Sequence, residues 1–242
     1  MLKELLKSRP FFVLLITFLS CQLFLAGQQS SSDSYLIRFD SEESKIVHVE
    51  ANLTLEDDTL RMSDYGPMPE RWPDYVKNLE VRDDEGQVRA VEKKEAKWII
   101  ANAEPGAHIQ LSYDLHIDHE EINWPGGIDG VAFVRTWGLM LSGRSLFVVN
   151  GSDKEDIKVQ VELPDACQFS APWNGVAGIP NTFVVKNHLQ LQESLLFAGT
   201  HKEIIMPRGD FKLKFVLGGE EILAKEKEYV DTAEKVLDYY IQ

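Results

Sequence analysis

From Tyr35 to Leu217 apolar and polar residues alternate, in runs of about five to ten with turn residues between them, the period of strands that bury one face. Val47, Val49, Ala51, Leu53 and Leu55 share one face of such a run, as do Ile109, Leu111, Tyr113, Leu115 and Ile117. Ile157, Val159, Val161 and Leu163 form a third set, and Phe211, Leu213, Phe215 and Leu217 a fourth. One buried and one wetter face is the signature of antiparallel sheets. Asp83-Asp84-Glu85-Gly86 reads as the hairpin turn joining Val76–Arg82 to Gln87–Glu92, and Glu104-Pro105-Gly106 as the turn after Lys97–Ala101. The pattern predicts roughly ten to twelve strands in an all-β fold, an antiparallel β-sandwich or a large curved sheet.

Residues 220–242 change period. Ile222, Leu223, Tyr229, Val230, Ala233, Val236, Leu237, Tyr240 and Ile241 recur at three- and four-residue steps among charged residues, which predicts a C-terminal amphipathic helix after Gly218-Gly219. Its apolar face needs a neighbour. Two arrangements satisfy it: folding back on the sheet of its own chain, or serving as the first helix of a domain beyond this sequence, the arrangement we expect.

The first ten residues carry Lys3, Lys7 and Arg9 against Glu4, and an apolar stretch follows from Phe11 to Gly27. This is the pattern of an export signal, residues 1–27, with a cut after Gly27. A retained signal-anchor is the alternative, since 17 residues approach the ~20 that span a bilayer. A lipid on Cys21 is a third, argued against by the apolar Leu23-Phe24-Leu25 that follows it. The expected location is periplasmic or extracellular, or membrane-anchored if the segment is kept. Removal of residues 1–27 leaves Cys167 as the single cysteine, so no intrachain disulfide can form, and it reads as a small buried side chain.

Length and charge narrow the classes. A chain of 242 residues, 44% hydrophobic and 26% charged, can bury a sizeable core. With 39 acidic against 25 basic residues and a formal charge of −14, it lacks an excess of the Lys and Arg that neutralise nucleic-acid phosphates. Nucleic acid is therefore excluded as a partner.

Catalytic motifs fail on inspection. His119-Glu120-Glu121-Ile122-Asn123 begins like the zinc motif His-Glu-x-x-His but places Asn123 where the second ligand belongs. His116 and His119, three apart at a strand end, point to opposite faces. His48, His108, His188 and His201 are isolated in sequence, and Gly138–Gly143 does not fit a Gly-x-Ser-x-Gly elbow. Trp124–Gly130 is glycine-rich without the Lys-Ser/Thr of a phosphate loop. No catalytic or metal-ligating set is assigned. The segment Asn123–Leu141 offers binding candidates instead, Trp124, Gly126, Gly127, Arg135 and Trp137, in which an aromatic wall and a cation could meet a peptide ligand. The plainer alternative has the tryptophans closing the sheet and Arg135 pairing with a surface acid.

The order of segments resembles the N-terminal domain of the glycyl aminopeptidase family, metallopeptidase family sixty-one. Ser34–Phe39 with Val47–Ala51 is similar to its opening strands, Asp83–Gly86 to its Asp-x-x-Gly hairpin, and Lys97–Ile100 to its tryptophan-bearing strand. Ile109–Leu115, Val131–Leu139, Ile157–Pro164 and His188–Gly199 follow in the family's order. The chain departs from the pattern at Arg71-Trp72-Pro73-Asp74-Tyr75, where the family has Trp-x-Pro-Gly-x-Tyr, and at Gln192 and Leu195, which replace an aspartate and a proline.

The resemblance implies a β domain over residues 28–219 and, in 220–242, the start of a helical catalytic domain. In the family that second domain carries His-Glu-x-x-His, and zinc there polarises water and carbonyl. The implied function is an exported, non-catalytic substrate-side or scaffold domain. No cofactor is expected in this chain, and zinc enters only with a supplied catalytic domain, a possible partner through the helix 220–242. An independent exported peptide- or protein-binding β module is the alternative; an enzyme with a dispersed site is a third reading.

Overall fold

The computed structural model describes residues 32–41, 44–63, 72–117, 132–152 and 154–241. The strands among them are β1 (Ser34–Phe39), β2 (Ile46–Thr54), β3 (Thr59–Arg61), β4 (Val76–Asp83), β5 (Val88–Arg89), β6 (Val91–Lys94), β7 (Lys97–Ile100), β8 (His108–His116) and β9 (Phe133–Arg135). They continue as β10 (Gly138–Ser142), β11 (Val149–Asn150), β12 (Glu155–Glu162), β13 (Gln168–Ser170), β14 (Asn174–Gly175), β15 (Thr182–Asn187), β16 (Leu195–Gly199), β17 (His201–Arg208) and β18 (Phe211–Gly218). Short helices α1 (Trp72–Tyr75), α2 (Gly143–Leu146), α3 (His188–Glu193) and α4 (Glu220–Leu223) precede the longer α5 (Glu226–Tyr240). The chain is all-β with a helical C-terminal segment, as the alternation predicts, and the extra strands are pieces of two or three residues.

The largest sheet has the order β14-β15-β12-β1-β2-β8-β4-β5. Register puts Val47, Val49, Ala51 and Leu53 opposite Leu115, Tyr113, Leu111 and Ile109, and all eight are buried. A one-residue slip would turn every one of them to water, so burial of one face fixes the pairing. Tyr35 and Ile37 extend the same face, next to Val159 and Val161. That last pairing departs from the expected all-antiparallel sheet: β1 and β12 run parallel. Parallel neighbours need a long connection, and here residues 40–154 supply it.

Two four-stranded sheets, β13-β16-β10-β9 and β11-β3-β7-β6, accompany the large one. A buried strap, α2 followed by Phe147 and Val148, is bound to the large sheet by two tyrosines. Tyr113 donates its hydroxyl to Leu146 O (2.8 Å) and accepts from Val148 N (3.1 Å), while Tyr35 donates to Val148 O (2.9 Å). Phe147 meets Tyr35 edge-on at 5.0 Å. Burial drives both phenols well above their ordinary pKa, so they stay neutral donors.

Three local expectations are refined. The Asp83–Gly86 hairpin forms, with Gly86 at φ 76° and Asp83 Oδ1 accepting from Glu85 N and Gln87 N. Its second arm, however, divides at Ala90: β5 stays with β4, and β6 joins β7 in another sheet. Cys167 is half-buried rather than in the core. The Phe211–Leu217 set buries only its base, because β17 and β18 form a two-stranded ribbon with no further strand beside it among the described residues; Leu217 is buried and Phe211 exposed.

Candidate functional site

Strands β9 and β10 pair Arg135 with Gly138, so Thr136 and Trp137 form the tip of a tight turn. Gly138 pairs in turn with Gly199 of β16. Neither position admits a side chain: a Cβ on Gly138 would stand 2.4 Å from Ala198 O, and one on Gly199 would stand 2.3 Å from Trp137 O. Both have φ near +150°, a conformation open chiefly to glycine. This close approach seats the indole of Trp137 on Phe197, stacked at 5.1 Å with 8° between planes. Trp137 also abuts Gly218 and Gly219, and its carbonyl accepts from Thr200 N at 2.8 Å. A cavity of about 690 Å³ opens there, lined by Thr136, Trp137, Thr200 and residues 218–223.

Arg135 and Trp137 thus lie at one turn, but with separate contacts. The Arg135 guanidinium sits 4.8 Å over the ring of Phe133 and donates to Val134 O, leaving its charge at the surface. Trp137 is half-buried between strand and hinge. Trp124, Gly126 and Gly127 lie outside the described residues, as do the export segment 1–27 and His119–Asn123.

The base of the ribbon is tied to β13 by a polar network that sequence spacing does not reveal. Ser170 Oγ donates to Glu203 Oε2 (2.6 Å) and lies 2.7 Å from His201 Nε2. With the hydroxyl proton committed to Glu203, His201 Nε2–H is the donor to Ser170; burial lowers the His201 pKa and keeps the ring neutral. Lys214 Nζ donates to Ala171 O (2.7 Å) and stands 3.5 Å from Glu203. These bonds fasten the ribbon. A serine whose proton points at a carboxylate and whose oxygen accepts from the imidazole is not arranged as a nucleophile.

Two other histidines are placed by the large sheet. His48 Nδ1 is 2.6 Å from Asp114 Oδ1, its cross-strand neighbour, and Nε2 is 3.3 Å from Asp40 Oδ2. His188, the first residue of α3 after the Asn187 cap, is buried with Asp33 nearby, and burial lowers the histidine pKa and raises the carboxyl's. Asn187 followed by a helical period is the one sequence cue that could have marked this spot. Among the described residues no three His, Cys, Asp or Glu side chains are placed to hold a metal ion. The zinc implied by the family resemblance therefore finds no fitting donor set in them.

The C-terminal segment forms two helices, not the single one expected, broken at Ala224-Lys225. Lys202 and Arg208 of β17 pair with Glu226 (2.6 Å) and Asp238 (2.7 Å), holding α5 on the ribbon, where Leu237 is buried. A second stripe, Tyr229, Val236 and Tyr240 at steps of seven and four, is left 38%, 50% and 78% exposed. The apolar arc of α5 is thus wider than the ribbon covers. Among the described residues no helix is long and apolar enough to cross a membrane.

Comparison with protein-family profiles gives no match, and neither does comparison with curated proteins. Solved structures do match. An aminopeptidase N family protein from Idiomarina loihiensis superposes with a TM-score of 0.63 at 14% identity, over 78% of this chain and 32% of that one. An M1 zinc metallopeptidase from Deinococcus radiodurans gives 0.47 at 13% identity, over 76% of this chain and 46% of that one. The first likeness is one of fold: most of this chain has the architecture of about a third of an aminopeptidase N family protein.

Proposed function

We propose that the chain serves as the non-catalytic β domain of an aminopeptidase-like protein, exported by residues 1–27 and related in its segment order to the glycyl aminopeptidases. It acts as a substrate-side scaffold, and hydrolysis belongs to a helical, zinc-bearing partner. The observation that carries this reading is the second apolar stripe of α5. Tyr229, Val236 and Tyr240 have the seven- and four-residue spacing with which one helix receives another, and they lie beside the buried Leu237, left partly to largely exposed. The fold likeness supports it, since the matched region is a minor part of the longer chain. So does the sequence, where Asn123 replaces the second histidine of a zinc motif.

Peptide contact is assigned to Trp124, Gly126, Gly127, Arg135 and Trp137. Within this group the exposed guanidinium of Arg135 is a ready partner for a peptide carboxylate. The test is direct: the purified chain is incubated with zinc and with glycyl and alanyl peptides. We expect no stoichiometric zinc and no released amino acid. Turnover proportional to bound zinc overturns the proposal.

An independent binding module has its own supporting observation, the burial of Leu237 and the two ion pairs that anchor α5. Deleting residues 229–242 separates the readings. A scaffold whose helix awaits a partner keeps its β-domain melting temperature within a few degrees, whereas an independent module loses part of its core and melts markedly lower.

A further inference from the structure

The ribbon β17–β18 has two differently occupied faces. Lys202 and Arg208 reach from one face to α5, while Glu203 and Ile205 lie on the other, paired with Val216 and Lys214. Beside that second face runs a cleft of about 830 Å³, whose apolar lining includes Trp173, Leu195, Phe197, Ile205 and Val216. Mostly apolar clefts of this size with a few placed polar groups are the usual form of small-ligand sites.

Most polar groups in the walls are already engaged. Trp173 Nε1 donates to Ser194 Oγ (2.7 Å), Ser170 donates to Glu203, and Lys214 is shared between Ala171 O and Glu203. Glu193 pairs with Arg144. Lys212 lines the same cleft and, among the described residues, has neither an ion-pair nor a hydrogen-bond partner. In a chain of formal charge −14 an anion is repelled in general, so an anionic ligand needs such a local cation.

We infer that this cleft binds a single-chain amphiphile with a carboxylate head, of the fatty-acid class. The alkyl chain lies along Phe197, Trp173 and Ile205, where its burial drives binding, and the head group pairs with Lys212 at the rim. A cationic amphiphile of equal length would place its charge beside Lys212 and Lys214 and bind more weakly. Ile205 and Lys212 lie on the ribbon face opposite Arg208, which holds α5, so this inference rests on other side chains than the partner-docking proposal.

The probe is dodecanoate below its micellar concentration, titrated calorimetrically into the full chain beside dodecyltrimethylammonium. We expect one saturable site for dodecanoate and at least tenfold weaker binding of the cation. Lys212→Glu should weaken dodecanoate at least tenfold and reverse the preference, while Lys97→Glu, a charge change on β7, leaves both unchanged. Ile205→Asp should abolish both; if its circular-dichroism melt shows it unfolded, Leu195→Asp on the facing wall, itself exposed, repeats the test. Equal binding of the two amphiphiles, undiminished affinity in Lys212→Glu, or uptake at many sites that survives the wall substitutions would overturn the inference. Tyr240→Glu, placed on the α5 stripe, should leave dodecanoate binding as it is.

Discussion

The indole of Trp137 stands where a side chain on Gly218 would have to be: a Cβ there would lie 2.5 Å from Cζ3 of the ring. The same ring is stacked on Phe197, so it has little room to withdraw. Turn, strand β16 and the last residue of β18 therefore meet in one contact, at the hinge from ribbon to α4. Gly218→Ala is expected to cost about 1–3 kcal/mol by overpacking, read as a lower urea midpoint with unchanged slope. Gly175→Ala is the control, since a Cβ there meets nothing closer than 3.9 Å and should leave the midpoint nearly where it was.

The strap after α2 depends on a single hydroxyl that both donates and accepts. Removing it in Tyr113→Phe leaves Leu146 O and Val148 N without that partner in a buried setting. A loss of about 1–3 kcal/mol in unfolding free energy is expected, the cost of stranding buried polar groups. In the intact protein Tyr35 and Tyr113 should show no phenolate absorbance until the alkaline unfolding transition.

His48 and Asp114 stabilise the outer face of the sheet within a limited pH window. The hydrogen bond to Asp114 raises the His48 pKa against the opposing effect of burial. Burial of Asp114 works to raise its carboxyl, but hydrogen bonds from Asn78 and His48 outweigh it and the net shift is downward. The histidine's contribution is therefore full below its unfolded pKa of about 6.5 and fades as pH rises through the folded value. The carboxylate's contribution is present above its unfolded value of about 3.9 and is lost as pH falls through the folded one. Asp114→Asn should bring the His48 imidazole proton titration, followed by NMR, down towards about 6.5. An unchanged titration would show that Asp114 does not set it.

His188 has the opposite linkage. Its folded pKa is depressed by burial, so as pH falls below about 6.5 the unfolded chain takes up a proton that the folded chain resists, and stability declines. Asp33, raised chiefly by burial, contributes its stability below about 3.9 and loses it as pH rises through its folded pKa; His201 is depressed and His48 raised, so from about pH 7 to 5.5 His188 is read from the difference between variant and unsubstituted chain. The decline is bounded at ~1.4 kcal/mol per pH unit for one proton. Urea midpoints of His188→Leu should be flatter over this interval than those of the unsubstituted chain.

The alternation of Val47–Leu55 and Ile109–Ile117 alone assigned their strands and buried faces, because a period of two leaves no other way to bury them. It did not place β12 beside β1, since a parallel pairing between distant segments leaves no local mark. Nor did it show that Phe211–Leu217 would stand out as a ribbon: its pattern is that of a core strand, but among the described residues β18 pairs with β17 alone and Phe211 is exposed. The site was legible to the same degree. Arg135 and Trp137 were readable as one cluster of residue types, and Arg135 packs locally on Phe133 of its own strand, yet the stacking of Trp137 on Phe197 depends on segments far apart in sequence.

The sequence by itself determined the all-β class, the buried faces and the helical C-terminus, since each rests on a periodicity that local geometry converts into burial. Tertiary structure decided what lies next to what: Ser170 beside His201, Trp137 over Gly218, Lys212 at an apolar cleft. Those contacts join segments whose meeting depends on the closure of whole sheets, and no short stretch of residues encodes it.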